Sequence, residues 1–156
     1  MNLPVTKAQI VTLVPHAGNM CLIDEVITWN DTHIECMACL SAQSYHPLCL
    51  DGELSVIHLL EYGAQAMAVH AGLLRHNTPH NDRHSTPVPG FLAAIRDARF
   101  FIESLHGCDH ELHIQAYALI HSANGVVYEL TIADDQHTLL VQARTTVIHI
   151  NESETP

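Results

Sequence analysis

The stretch that decides the fold runs from residue 55 to residue 74 and reads SVIHLLEYGAQAMAVHAGLL. Ser55 is a suitable N-cap, and the residues after it are rich in leucine, alanine, methionine and valine and contain no proline. Their apolar side chains are spread almost all the way round a helical wheel. Such a helix must be covered by protein on most sides, so the pattern predicts a long, enclosed central helix.

Alternation of apolar and polar residues predicts strands on both sides of this helix. A hairpin precedes it, a polar segment with three prolines (75–89) predicts a loop after it, and Asn124-Gly125 is a strong hairpin turn. The predicted elements are a short helix at 6–13, strands at 20–28 and 33–40, and strands at 91–101, 110–121, 126–132 and 139–147.

The connections are short, which predicts antiparallel pairing throughout. One long helix wrapped by one curved antiparallel sheet is the hotdog arrangement, an α+β fold. The length of 156 residues suits a single domain, which we place at 1–150, with a frayed tail at 151–156.

The charge balance excludes several classes of partner. Six Lys and Arg face 17 Asp and Glu, a formal net charge of −11. Nucleic acids and anionic membranes are bound by clusters of basic residues, so neither is expected as a partner. No apolar run is long enough for a membrane helix and the N-terminus lacks a secretory pattern, so we expect a cytoplasmic protein.

Cysteine and histidine patterns indicate neither a metal nor a cofactor. Cys36 and Cys39 form a C-x-x-C pair within a predicted strand, where a spacing of three places them on opposite faces. His76, His80 and His84 recur every four residues, but Pro79 lies among them and favours a solvated loop.

The candidate chemistry lies on one stripe of the long helix. At about 100° per residue, His58, Glu61 and Gln65 share a narrow face that continues into the small residues Ala68 and Gly72. A carboxylate on an apolar helix must be paired, hydrogen-bonded or protonated. The stripe alone therefore fits a general acid–base residue and a structural carboxylate bonded to Gln65 about equally, whereas a core or interface role is favoured for His58.

Four motifs resemble the 3-hydroxyacyl-acyl-carrier-protein dehydratases of the FabZ/FabA kind, and the resemblance covers residues 10–149. They are LVPH at 13–16 followed by MCLIDEV at 20–26, HP at 46–47, EYGAQA at 61–66, and FLAAIRDARF at 91–100. The combination of EYGAQA with AVHAG at 68–72 is most similar to the aryl-polyene, ApeP-like branch of that family.

The resemblance implies elimination of water from a carrier-bound 3-hydroxyacyl thioester, in fatty-acid or aryl-polyene type biosynthesis and without a cofactor. It implies that His46 removes the α-proton and that Glu61 protonates or holds the departing hydroxyl. Gln65 would fix Glu61. The implied substrate-binding residues are Val56 and Ile57 at the helix N-terminus, Ala68 and Gly72 beside the acyl chain, and Phe91 on the following strand.

The implied partner is an acyl carrier protein that presents its substrate on phosphopantetheine. Carrier proteins are acidic, and four of the six basic residues fall in residues 75–99, namely Arg75, Arg83, Arg96 and Arg99. We expect Arg96 and Arg99 to contribute to a docking patch. The family arrangement also implies a homodimer, or a heterodimer with another hotdog subunit.

One segment departs from the family pattern. Residues 47–56 lack the family's G-x-P-x-x-P-G sequence, and Val56 stands where an oxyanion-binding glycine is expected. Two alternatives to the dehydratase therefore stay open. One is a hotdog acyl-thioesterase, and the other is a catalytically silent subunit that completes a heterodimeric enzyme.

Overall fold

The computed structural model describes residues 4–16, 18–40, 46–51, 53–77, 90–105, 111–122 and 124–149. Its elements in chain order are β1 (Val5–Thr6), α1 (Lys7–Ile10), β2 (Glu25–Asn30), β3 (His33–Cys39), α2 (Leu59–Asn77), β4 (Gly90–Phe100), β5 (Glu111–Ser122), β6 (Gly125–Ala133) and β7 (Leu139–His149). Short 3-10 turns cover Gly18–Met20 and Val56–His58.

The strands form one seven-stranded sheet in the order β1-β2-β3-β5-β6-β7-β4. Every neighbouring pair is antiparallel. The predicted α+β hotdog fold is therefore confirmed, with two main strands before the long helix and four after it.

Helix α2 packs on the central strands β3, β5 and β6. Every residue from 59 to 74 is buried or half-buried, as the all-round apolar pattern predicts. The helix approaches the sheet most closely at Gly63, where an added Cβ would lie 2.2 Å from a methyl carbon of Leu130. Burial of the large side chains of this layer contributes about 1.5–3 kcal/mol each and holds the helix in place.

Several boundaries differ from the sequence prediction. Strand β2 begins at Glu25 rather than at residue 20, because the 3-10 turn at Gly18–Met20 and an extended segment outside the sheet precede it. The helix opens as a 3-10 turn after Ser55, whose side chain makes no capping hydrogen bond. The helix then continues to Asn77, so the predicted loop begins later, and residues 78–89 lie outside the described residues.

Strand β4 is the exposed edge of the sheet. It pairs with β7 at the end farthest from β1, beyond the strands that α2 covers. Of its eleven residues only Ala94 is half-buried, and the rest are exposed. Phe91, Leu92 and Ile95 therefore remain 48%, 41% and 39% exposed in the single chain.

Strand β3 places its two cysteines as the alternation predicts. Cys36 is fully buried in the core, where burial raises the pKa of its thiol, and Cys39 is exposed. No helix among the described residues is long and apolar enough to cross a membrane. The predicted tail at 151–156, together with His80, Arg83 and His84, lies outside the described residues.

Candidate active site

Glu61 lies in the first turn of α2, with about a third of its side chain exposed. The amide Nε2 of Gln65, one turn later, donates a 2.9 Å hydrogen bond to its Oε1 atom. The ring Nε2 of His16 lies 3.4 Å from that same oxygen. Both neighbours converge on Oε1, and no hydrogen bond or ion pair to Oε2 is found among the described residues.

Gln65 is only 1% exposed and ties Glu61 to the segment before β2. Its Oε1 accepts the backbone N–H of Leu22 at 2.8 Å, and its Nε2 donates to the carbonyl of Met20 at 2.8 Å. Both amide hydrogens are therefore used, one on Met20 and one on Glu61. A proton on Glu61 must consequently sit on Oε2, because Oε1 is already an acceptor.

His46 opens a turn in which the N–H of Cys49 donates to its carbonyl at 2.9 Å, with Pro47 at the second position. The ring is half-buried, and its Nε2 lies 2.7 Å from the hydroxyl of Tyr62 on α2. Burial, and then the nearby ring of His58, lower the pKa of His46. The ring is therefore neutral at pH 7 and able to accept a proton.

A cavity of about 480 Å³ opens at the N-terminal end of α2. Val56 and His58 line it from the 3-10 turn, facing Leu54 and Glu103. The first turn of a helix leaves its leading N–H groups without helical acceptors, so this end of α2 suits a developing negative charge. Ile57, by contrast, points outward and is 57% exposed.

The predicted stripe of His58, Glu61 and Gln65 is only partly correct. Glu61 and Gln65 are in contact, but His58 lies on the 3-10 turn, where the angular step per residue is larger than in an α-helix. His58 therefore lines the cavity, and its buried Nδ1 has no hydrogen-bond partner among the described residues.

Within the described part of the chain, no hydrogen bond joins His46 to Glu61. His46 contacts Tyr62, whereas Glu61 contacts Gln65 and His16, so the two candidate catalytic side chains belong to separate clusters. Phe91, Arg96 and Arg99 lie on β4, at the sheet edge that α2 does not cover. The candidate residues of a single chain thus lie in three places: around Glu61, around His46 and on β4.

Gly72 packs against the chain itself, because an added Cβ would lie 3.0 Å from the Cβ of Leu13 and 3.2 Å from its carbonyl oxygen, and its contact with an acyl chain stays a prediction. The small residue permits the segment after α1 to pack closely on α2. Ala68 is half-buried, and its contact with an acyl chain stays a prediction.

Two residues of the site, His16 and Tyr62, were given no role from the sequence. Both lie inside motifs that carry the family resemblance, LVPH and EYGAQA, which is the only signal that singles them out. The described residues contain no group of three side chains that could hold a metal ion.

Comparison with known proteins identifies the family. The family model described as ApeP dehydratase, ApeP-like, matches residues 8–155. A solved structure, the dehydratase heterocomplex ApeI:P from Xenorhabdus doucetiae, has 25% sequence identity and a TM-score of 0.76, with 93% of each chain covered.

Other similar structures share the fold at lower identity. Thioesterase HI1161 from Haemophilus influenzae is 15% identical with a TM-score of 0.63, covering 94% of this chain and 92% of that one. The PaaI protein of the E. coli phenylacetic acid degradation operon is 14% identical with a TM-score of 0.55, covering 80% and 81%. A search of curated proteins gave no match. With its motifs in the family order and the family model covering nearly its full length, the chain belongs to the ApeP-like dehydratase family.

Proposed function

We propose that this chain removes water from a 3-hydroxyacyl thioester held on the phosphopantetheine arm of an acyl carrier protein and forms the trans-2-enoyl thioester. Fatty-acid or aryl-polyene type biosynthesis supplies such substrates. The observation that carries the proposal is the fixed Glu61 carboxyl group, in which Oε1 is held while Oε2 makes no hydrogen bond within the part of the chain that the structure describes.

Glu61 is proposed as the general acid. Elimination of water needs a proton donor at the departing hydroxyl, since hydroxide is a poor leaving group. Because Gln65 donates to Oε1, the proton of the acid form resides on Oε2 and faces away from the protein anchors. Gln65 is proposed as the residue that holds this orientation.

His46 is proposed as the general base. Its lowered pKa keeps the ring neutral and ready to take the proton from the carbon next to the thioester. The electron pair of that C–H bond forms the new double bond as the C–O bond breaks, and negative charge develops meanwhile on the thioester oxygen. The N–H groups at Val56 and Ile57 are proposed to stabilise that charge.

Separation of the two clusters favours a site that is shared between subunits. No hydrogen bond joins His46 to Glu61 among the described residues, and a partner hotdog subunit is proposed to bring the second cluster to each site. The exposed apolar edge of β4 supports this proposal, since Phe91, Leu92 and Ile95 would be buried by a partner. The similar ApeI:P structure is a heterocomplex, which favours a different hotdog subunit as the partner. A second copy of this chain is the alternative partner.

A basic patch on β4 and β7 is proposed as the docking surface for the acidic carrier. Arg96 lies directly opposite Arg144, and Arg99 lies opposite Gln142. Three of the chain's six basic residues are thus on two adjacent strands of a protein whose net charge is −11. We expect charge reversal of Arg96 and Arg99 to weaken carrier binding and to raise KM, as measured by titration with the carrier.

A silent subunit of a heterodimeric dehydratase is the second candidate. The observation in its favour is that Nε2 of His46, in a loop that departs from the family pattern, is engaged by Tyr62 rather than open. Thioesterase activity, the third reading, rests only on the fold shared with the thioesterase structures.

The test uses 3-hydroxyacyl carrier protein and mass spectrometry of the carrier arm. Loss of one water by the wild type, alone or with its partner subunit, and its absence in Glu61→Gln would support the dehydratase. His76→Gln, at the exposed end of α2, is the matched control and should retain the wild-type rate. Release of the free acid would indicate a thioesterase instead, and an unchanged substrate would favour the silent subunit.

A further inference from the structure

Tyr62 is the neighbour of Glu61 on α2 and is 1% exposed, yet its hydroxyl reaches the loop that carries His46. The Oη to Nε2 distance is 2.7 Å, and the two ring centroids are 5.9 Å apart. The helix therefore carries the proposed acid at one position and, at the next, the group that contacts the proposed base.

The hydrogen bonds of His46 fix which of its nitrogens carries the proton. The backbone N–H of Leu48 donates to Nδ1 at 3.2 Å, so Nδ1 is an acceptor without a hydrogen. A neutral imidazole has a single N–H, which must then be on Nε2 and donate to the hydroxyl oxygen of Tyr62. Burial raises the pKa of Tyr62, so its hydroxyl stays neutral and can accept this bond.

A second His–Tyr pair in the same chain has the opposite arrangement. His70 is fully buried, and its Nε2 donates to the carbonyl of Asn30 at 2.7 Å. Its Nδ1 must therefore accept the hydroxyl hydrogen of Tyr128, at 3.0 Å. Tyr128 acts as a donor to a core histidine, whereas Tyr62 acts as an acceptor from a histidine in a cavity-side loop.

We propose that Tyr62 is a positioning residue that accepts the Nε2–H of His46 and so, together with the Leu48 N–H that fixes the tautomer, orients the ring with Nδ1 as the atom that accepts the substrate proton. This inference rests on the proposed dehydratase function. In the step, the α-carbon proton moves to Nδ1, its electron pair forms the carbon–carbon double bond, the C–O bond breaks, and the proton on Oε2 of Glu61 completes the water. The Leu48 N–H moves off Nδ1, and the imidazolium keeps its Nε2–H bond to Tyr62.

The role of Tyr62 also fits the departure of the 47–56 loop from the family sequence. That loop lacks the family's glycines and prolines, apart from Pro47 and Gly52. The hydrogen bond that His46 donates to the buried helix residue Tyr62 anchors its ring to the helix as well as to the loop.

The first arm of the test compares Tyr62→Phe with Tyr128→Phe, which removes the same hydroxyl from the second pair. For Tyr62→Phe we expect kcat to fall by about tenfold or more with KM changed by less than about threefold, since the lost bond is made to a histidine that becomes charged only during reaction. Tyr128→Phe should retain the wild-type kcat. A wild-type kcat in Tyr62→Phe, with turnover still abolished by Glu61→Gln, would overturn this inference and leave the proposed function standing.

The second arm does not need turnover. Nitrogen NMR of the histidine rings, with the His46 signals assigned from their loss in His46→Gln, should show the Nε2–H tautomer in the wild type. Tyr62→Phe should shift the Nε2 signal, because its N–H loses the hydroxyl acceptor while the Leu48 N–H still keeps Nδ1 unprotonated. Tyr128→Phe should leave the His46 signals unchanged. A wild-type His46 with its proton on Nδ1 would overturn the inference, whether or not the protein proves to be a dehydratase.

Discussion

At the scale of single residues, the most informative side chain is Gln65, because it joins the core to the candidate acid. It lies inside the helix, where it could have been read as a space-filling residue. Its three hydrogen bonds, to Leu22, Met20 and Glu61, show a connector whose orientation is fully determined. The helical spacing of four could predict its contact with Glu61, but its two backbone partners, more than forty positions away, could not be predicted.

Replacement of Gln65 by leucine should lower the free energy of unfolding by about 2–4 kcal/mol, because the buried N–H of Leu22 and the carbonyl of Met20 would lose their partners. Glu61→Gln should change it by less than about 0.5 kcal/mol, since the new amide oxygen still accepts from Gln65. Urea unfolding of both variants checks the pair. Equal stability of Gln65→Leu and the wild type would refute the connector role.

The burial of His70 predicts that the folded protein loses stability in mild acid. Burial is the main cause of its lowered pKa, so the unfolded chain binds a proton more readily than the folded one. The stability that neutral His70 contributes is therefore present above about pH 6.5 and declines as the pH falls below that value.

The measurement is urea unfolding at pH 7.5 and pH 5.5. His70→Gln should lose less stability between the two values than the wild type does, while the exposed variant His76→Gln should lose as much as the wild type. An equal loss in all three proteins would show that other histidines dominate the acid response.

At the scale of elements, the sequence predicted the types of element better than their ends. The long helix, the first hairpin and the four later strands follow from periodicity and turn residues, since each has a continuous apolar face. The start of β2 could not be predicted, because residues 21–24 alternate like a strand, yet the N–H of Leu22 bonds to Gln65 on the helix and the carbonyls of Cys21 and Ile23 bond to Lys7. The filled space over Gly72 likewise depends on a distant segment around Leu13.

The close contact between α2 and β6 predicts that substitutions at Gly63 and Leu130 affect stability together rather than independently. Gly63→Ala should destabilise the protein by about 1–3 kcal/mol, because the new methyl group overlaps the side chain of Leu130. Shortening that side chain in the double variant Gly63→Ala/Leu130→Val should cost less than the sum of the two single changes. Thermal unfolding of the three variants gives the coupling, and strict additivity would contradict the close approach.

At the scale of the whole molecule, the chain has the fold of the ApeP-like dehydratase family, and its two candidate catalytic side chains have different hydrogen-bond partners. The acid cluster and the base cluster lie on neighbouring helix positions yet have no hydrogen bond to each other, and the candidate substrate residues of β4 lie on an uncovered edge. The sequence motifs identified the family and the two candidate catalytic residues. They could not predict which side chains His46 and Glu61 contact, because those contacts depend on how distant segments pack against α2.

If a partner subunit covers β4, a charged side chain placed on that strand should prevent assembly. Ile95→Glu, at a position 39% exposed, should convert the assembly to single chains, because the carboxylate would be buried without a partner. Leu119→Glu on β5, 48% exposed, is the matched control and should leave the assembly intact. Light scattering after size exclusion distinguishes the two, and an unchanged mass for Ile95→Glu would exclude β4 as the interface.

The central claim is that His46 and Glu61 carry out reversible dehydration together. Its most direct test is the absorbance of a trans-2-enoyl carrier thioester, followed in time with the assembled wild type and with His46→Gln and Glu61→Gln. We expect a clear decrease from hydration in the wild type and rates reduced by about a hundredfold or more in each variant, the usual contribution of a general acid or base. A wild-type rate in either variant, or no decrease with the assembled wild type, would contradict the assignment.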